Sequence, residues 1–246
     1  MENSVLLFAM VGFVAQLIDG ALGMAYGVTS TTFLLSMGVP PAVASASVHT
    51  AEVFTTAVSG ISHWRLGNVD GRLVRRLLVP GILGGITGAY ILTRLPGQLI
   101  KPLVALYLLA MGLRILWKAS RRSAAGPMHT YHGALALVGG FCDAIGGGGW
   151  GPIVTSTLVA NGHDPRSTIG SVNLSEFFVT LAEAATFVAL LGLVHWQVIV
   201  GLVIGGAIAA PFAALLCKRL SARVLMVTVG TVITALSVRT LLLAWA

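Results

Sequence analysis

Apolar stretches long enough to cross a bilayer recur along almost the whole 246-residue chain, separated by short polar turns. They fall at about residues 4–37, 41–63, 73–94, 98–117, 132–161, 165–190, 196–217 and 222–245. This pattern predicts an all-α polytopic membrane protein. Two segments depart from it. The first is interrupted by "DGALGMAYG" at 19–27 and the fifth by "DAIGGGGWGP" at 143–152. Each interruption leaves pieces near 15 and 11 residues, roughly 22 and 16 Å at 1.5 Å per residue, too short for a hydrocarbon core about 30 Å thick. Each segment is therefore either one broken crossing or a re-entrant hairpin.

The two interruptions are copies. Sliding the chain by 124 residues pairs Asp19 with Asp143, Gly23 with Gly147, Gly27 with Gly151, Thr31 with Thr155, Ser47 with Ser171 and Glu52 with Glu176. After one inserted residue the match persists, with Gly81 on Gly206, Arg94 on Arg219 and Arg114 on Arg239. Matching acids are informative, because apolar residues agree easily between any two membrane helices. A single membrane domain, 1–246, is expected to hold repeat 1 at about 1–118, a loop at about 119–130 and repeat 2 at about 131–246, each repeat a broken segment followed by three transmembrane helices.

Composition agrees and charge adds orientation. Hydrophobic residues make up 56% and charged residues 9%, against about 25% charged in a soluble domain. The 15 Lys and Arg sit between apolar spans, which argues against a nucleic-acid partner. If the broken segments are hairpins, the repeats are inverted and twelve basic residues share one face, leaving Arg94, Lys101 and Arg239 opposite. Parallel repeats divide them nine to six. The positive-inside rule favours the inverted repeat, with both termini outside the cytoplasm. The N-terminal stretch lacks a basic n-region and a cleavage site, and reads as the first span. Cys142 and Cys217 form no metal or redox spacing. With no metal, acyl-transfer or nucleotide motif either, no cofactor, metal or enzyme activity is expected.

Irregular backbone at membrane depth survives only inside protein or beside a watery cavity. A half-helix starting at Pro152 would point N–H groups and a positive dipole end into the break, an arrangement suited to an anion. The candidate substrate-binding residues are Gly23, Tyr26, Gly27, Thr31, Ser47 and His49, with Gly147, Gly148, Gly149, Trp150, Gly151, Thr155, Ser171 and Asn173. Packing competes as the role of Tyr26 and Trp150. Asp19, Glu52, Asp143 and Glu176 are half of the acids, and each needs a partner, a proton or water. Proton coupling is assigned first to the glutamates, with structural locking as the alternative; the aspartates precede the breaks and fit capping better. His49 lies one turn before Glu52, and Asn173 holds the same place before Glu176. Glu183 ranks below these acids, because its counterpart is Ser59.

The stretches "GFVAQLIDGALGMAYG", "SVHTAEVFTTAVSGISHWRLGNVD", "GGGGWGP" and "GSVNLSEFFVT" resemble the TauE/SafE family of sulfite and sulfonate exporters over nearly the whole chain. The resemblance implies a multi-pass transporter of the bacterial inner membrane for sulfite, a sulfonate or a related organic acid. Its partners would be a small anion, protons and the lipid bilayer. A passive anion channel, a carrier of a non-sulfur organic anion and a membrane-embedded enzyme are the other readings.

Overall fold

The computed structural model describes residues 2–22, 24–120, 131–192, 195–219 and 222–245. Gly23 and most of the expected linker, 121–130, lie outside them. The described residues are helical, with no strand among them. The first half comprises α1 (Glu2–Leu22), α2 (Tyr26–Ser36), α3 (Pro41–Arg65), α4 (Gly71–Arg94) and α5 (Gly97–Ser120). The second comprises α6 (His132–Gly146), a π-helical turn (Gly151–Thr155) running into α7 (Ser156–Ala160), α8 (Pro165–Leu191), α9 (Trp196–Arg219) and α10 (Ala222–Trp245).

Local chemistry sets the boundaries. Proline opens α3 and α8, where its missing N–H would have no helical partner anyway. Asp70 caps α4 by accepting from Arg72 N at 2.8 Å, and Asp164 caps α8 by accepting from Ser167 N at 2.9 Å. Both interruptions appear where the glycines fall. The pieces of the fifth segment match the expected lengths, whereas α1 runs to 21 residues.

Among the described residues, Gly71–Arg94, Gly97–Ser120, Ser167–Leu191 and Met226–Leu243 are long and apolar enough to cross a membrane. The α3 helix has the length, at 25 residues or about 37 Å, but not the apolarity. It buries Ser45, Ser47, His49, Glu52 and Thr56. Its polarity is directed into the protein rather than toward lipid.

Packing follows the repeat. The principal neighbours are α1 with α9, α4 with α6, α3 with α8 and α5 with α10, followed by α4 with α8 and α3 with α9. Exchanging the halves turns α1–α9 into α6–α4 and α3–α9 into α8–α4, and returns α3–α8 and α5–α10 to themselves. Thr56 and Thr180, equivalent residues, face each other with hydroxyls 3.5 Å apart across the α3–α8 contact. Close approach at the exchanged pairs depends on small residues: a Cβ on Gly140 would strike the carbonyl of Gly81, and one on Gly205 that of Ala9.

Candidate functional site

The second break is built from glycine and one aspartate. Gly147 and Gly148 take φ of 65° and 146°, values that side chains disfavour. Buried Asp143 then accepts from Gly149 N at 2.6 Å and Trp150 N at 2.9 Å through Oδ1. In the first break the strained position is Ala25, at φ 102°, and Asp19 Oδ1 accepts from Tyr26 N at 3.2 Å. Both aspartates thus cap the half-helices that follow. The positive helix ends, expected to face an anion, hold the chain's own carboxyl groups.

The two breaks touch. Thr31 donates to the carbonyl of Gly147 at 2.6 Å, and a Cβ on Gly27 would lie 2.6 Å from Gly148 Cα. Tyr107, which sequence reasoning did not single out, donates to the carbonyl of Gly148 at 3.1 Å. Between the breaks lies a narrow cleft lined by Asp19, Tyr26, Gly27, Glu52, Asp143, Gly148, Gly149, Gly151 and Glu176, with Thr55 and Thr56. All four acids of the repeat therefore meet in one place. Among the described residues no Lys, Arg or His contributes to that lining.

Several expected residues have partners of their own. Trp150 is fully buried and donates to the carbonyl of Val172, which makes it a packing residue. Tyr26 lines the cleft with its hydroxyl turned to the carbonyl of Leu202 at 3.3 Å. Ser47 bonds back to Val43 O at 2.8 Å, and Ser171 accepts from Asp70 N at 2.8 Å in the loop before α4. Gly147 sits behind the cleft on Thr31, and Thr155 is buried away from it. Asn173 is engaged by Ser59, which donates to its Oδ1 at 2.9 Å. Gly23 lies outside the described residues.

The structure brings in Glu183, an acid without an acidic counterpart. It is fully buried beside His49, with Oε2 3.1 Å from His49 Nδ1. That nitrogen is aligned on Glu52 Oε2 at 3.0 Å, while Nε2 faces the carbonyl of Asp143 at 3.1 Å. Among the described residues, His49 and Glu183 are the fully buried ionisable side chains of α3 and α8 that depart from the repeat. Their counterparts, Asn173 and Ser59, form the neutral hydrogen bond just described. A paired departure of this kind is the signal that could have found Glu183.

Basic side chains also come nearer than the sequence suggested. Arg114 reaches Thr157 Oγ1 at 3.3 Å and Lys118 reaches Ser156 Oγ at 3.2 Å, placing two cations outside the second break. They line a separate cavity with Met24, Ala25 and Pro152.

Known proteins resemble the chain over nearly its whole length. The family described as "Sulfite exporter TauE/SafE" matches residues 8–240. A protein of Bacillus subtilis (strain 168) named "Probable membrane transporter protein YtnM" is 44% identical over 253 residues, covering 99% of this chain and 84% of that protein. No solved structure matches. With helices apolar enough to span a bilayer, broken elements meeting inside, and both matches extending over nearly its full length, the chain is a membrane transporter that belongs to the TauE/SafE family.

Proposed function

We propose that the chain is a secondary transporter that moves a small sulfur-containing anion, such as sulfite, a sulfonate or a related organic acid, across the bacterial inner membrane together with protons. The observation that carries this reading is the cleft where the two breaks meet, lined among the described residues by four carboxyl groups and no cationic side chain. Two unit charges 4 Å apart repel by about 4 kcal/mol at an effective dielectric near 20. An anion therefore enters such a cleft only as its carboxyls become neutral. Anion and proton binding are then linked, and each raises the affinity for the other. Glu52 and Glu176 are the acids of the cleft that cap no half-helix, which makes them the coupling groups. Thr55, Thr56 and the half-helix starts supply the polar contacts.

The family's printed name supports sulfite as the substrate class, and the distribution of basic loop residues supports inverted repeats. In that topology the halves rock about the α3–α8 contact. The test is uptake into proteoliposomes of sulfite, thiosulfate, sulfoacetate, taurine and a carboxylate control, with and without an imposed pH gradient. Saturable uptake of a sulfur anion that follows the gradient is expected. Flux that neither saturates nor responds to the gradient would establish a channel instead, and uptake of the carboxylate alone would overturn the substrate class. A C-terminal reporter active only in the cytoplasm should remain silent if the repeats are inverted.

A further inference from the structure

Glu183 contributes nothing to the cleft lining, yet it sits in the densest group of ionisable side chains in the described structure. We propose that Glu183 is an inner proton-holding group, loaded from the cleft through Glu52 and the imidazole of His49. This proposal rests on the proton-linked reading above.

Hydrogen-bond accounting defines the histidine. Nε2 faces the carbonyl of Asp143, which can only accept, so Nε2 carries a hydrogen. Nδ1 is aligned on the Glu52 carboxyl, and one proton lies between them. Glu183 competes for the same nitrogen at nearly equal distance, 3.1 against 3.0 Å, but outside hydrogen-bond alignment. Both of its oxygens, and Asp143 Oδ2, are buried with no N–H or hydroxyl donor on them, and the Asp143 carboxyl is the group with which Glu183 can share a proton. An ionised carboxylate left in that condition is among the most costly arrangements a protein interior can hold. A protonated one is not.

The surrounding charges point the same way. Around Glu183 stand His49 and Glu52 from α3, Asp143 from α6 and Glu176 from α8, and beyond Glu52 the cleft adds Asp19 from α1 and Tyr26 from α2. The α4 helix offers Gly85, where a Cβ would strike the Glu183 carboxyl. Among the described residues no Lys or Arg joins the cluster, so positive charge there has to come from protons or a bound cation. A metal ion fits less well than a proton. His49, Asp143 and Glu183 place ligand atoms within 4.8 Å of one another, but both imidazole nitrogens and Asp143 Oδ1 already have partners.

The transfer balances. Protonated Glu52 gives its proton to Nδ1 of neutral His49, leaving a carboxylate and an imidazolium. The ring swings in its own plane, and Nδ1 passes that proton to the Glu183 carboxylate while Nε2–H stays on the Asp143 carbonyl. Phe187 lies parallel to the ring, 5° between planes and 6.2 Å between centroids, on a face such a swing does not disturb. The second α3–α8 pairing, Ser59 with Asn173, joins the same helices with no ionisable group. Helix packing by itself therefore requires a hydrogen bond at this place and no charge.

The test compares wild type with Glu183→Gln and with the double variant His49→Asn, Glu183→Ser, which copies the neutral pairing. Sulfite-loaded proteoliposomes give two readings, accumulation driven by a pH gradient and counterflow without one. The ratio of accumulation to counterflow is expected to fall about tenfold or more in both variants, within the range of a typical coupling free energy. Infrared difference spectra taken between acidic and alkaline buffer should lose a protonated-carboxyl band in Glu183→Gln that persists in Glu176→Gln. An unchanged ratio with an unchanged band overturns the proposal, as does accumulation that follows a sodium gradient. Failure of the wild type to respond to a pH gradient would instead refute proton linkage, and the infrared band would still decide whether Glu183 holds a proton.

Discussion

The α3–α8 contact brings the halves together at two equivalent places, one holding His49 and Glu183, the other Asn173 and Ser59. The breaks differ in the same sense. The second uses two left-handed glycines and an aspartate with two N–H donors at 2.6 and 2.9 Å; the first uses Ala25 and a single donor at 3.2 Å. A duplicated fold makes each device twice, so a difference between copies separates what the scaffold needs from what one half adds. The scaffold needs a bend, a capped half-helix and a polar bridge between α3 and α8. The second half adds a tighter anchor, and the two halves together add an ionisable bridge.

Gly148→Ala should break the comparison most severely. The new Cβ would strike the backbone of Gly27 and Val28 at a φ of 146°, and loss of folded protein in detergent is the expected result. Met24 occupies the equivalent position in the first half, so Met24→Ala should leave a folded protein by size-exclusion chromatography. Asp143→Ala strands two buried N–H groups at about 1–3 kcal/mol each, whereas Asp19→Ala strands one with a longer bond. Thermal unfolding should therefore rank Asp143→Ala well below Asp19→Ala, and equal losses would mean that the breaks are equivalent anchors.

Gly85→Ala sharpens the second comparison. Its Cβ would displace the Glu183 carboxyl, and the expected outcome is a changed pH dependence of uptake with the helix itself intact. An unaltered pH profile would place Glu183 outside the coupling. Ala25→Gly should have the smallest effect, a gain of less than about 1 kcal/mol as relief of the left-handed strain is partly cancelled by greater freedom of the unfolded chain. Gly149 already stands at the corresponding place in the second half.

Capping by Asp19 and Asp143 was legible because a cap is local: the residue and the N–H groups it serves lie within seven positions. The choice of Asp19, Glu52, Asp143 and Glu176 was legible because duplication marks the same acids in both halves, whereas their meeting in one cleft came from the structure. Ser47, Ser171 and Asn173 were placed on the path by their polarity alone. In the structure their side chains bond within their own helix, to a loop or to the neighbouring helix. Glu183 was ranked low by the same repeat logic, which treats an unmatched residue as less informative.

The sequence by itself determined the helical class, the two copies, the position of each interruption and the acids around it. Those properties follow from bilayer thickness, glycine and proline conformation and a repeated pattern, all of which act within a segment or between equivalent ones. Only the tertiary structure decided that His49 and Glu183, unmatched residues from different halves separated by more than a hundred positions, lie 3.1 Å apart. Tertiary structure likewise placed Arg114 and Lys118 outside the second break. Contacts between unlike residues of different helices depend on how those helices cross and turn, and neither periodicity nor duplication specifies that geometry.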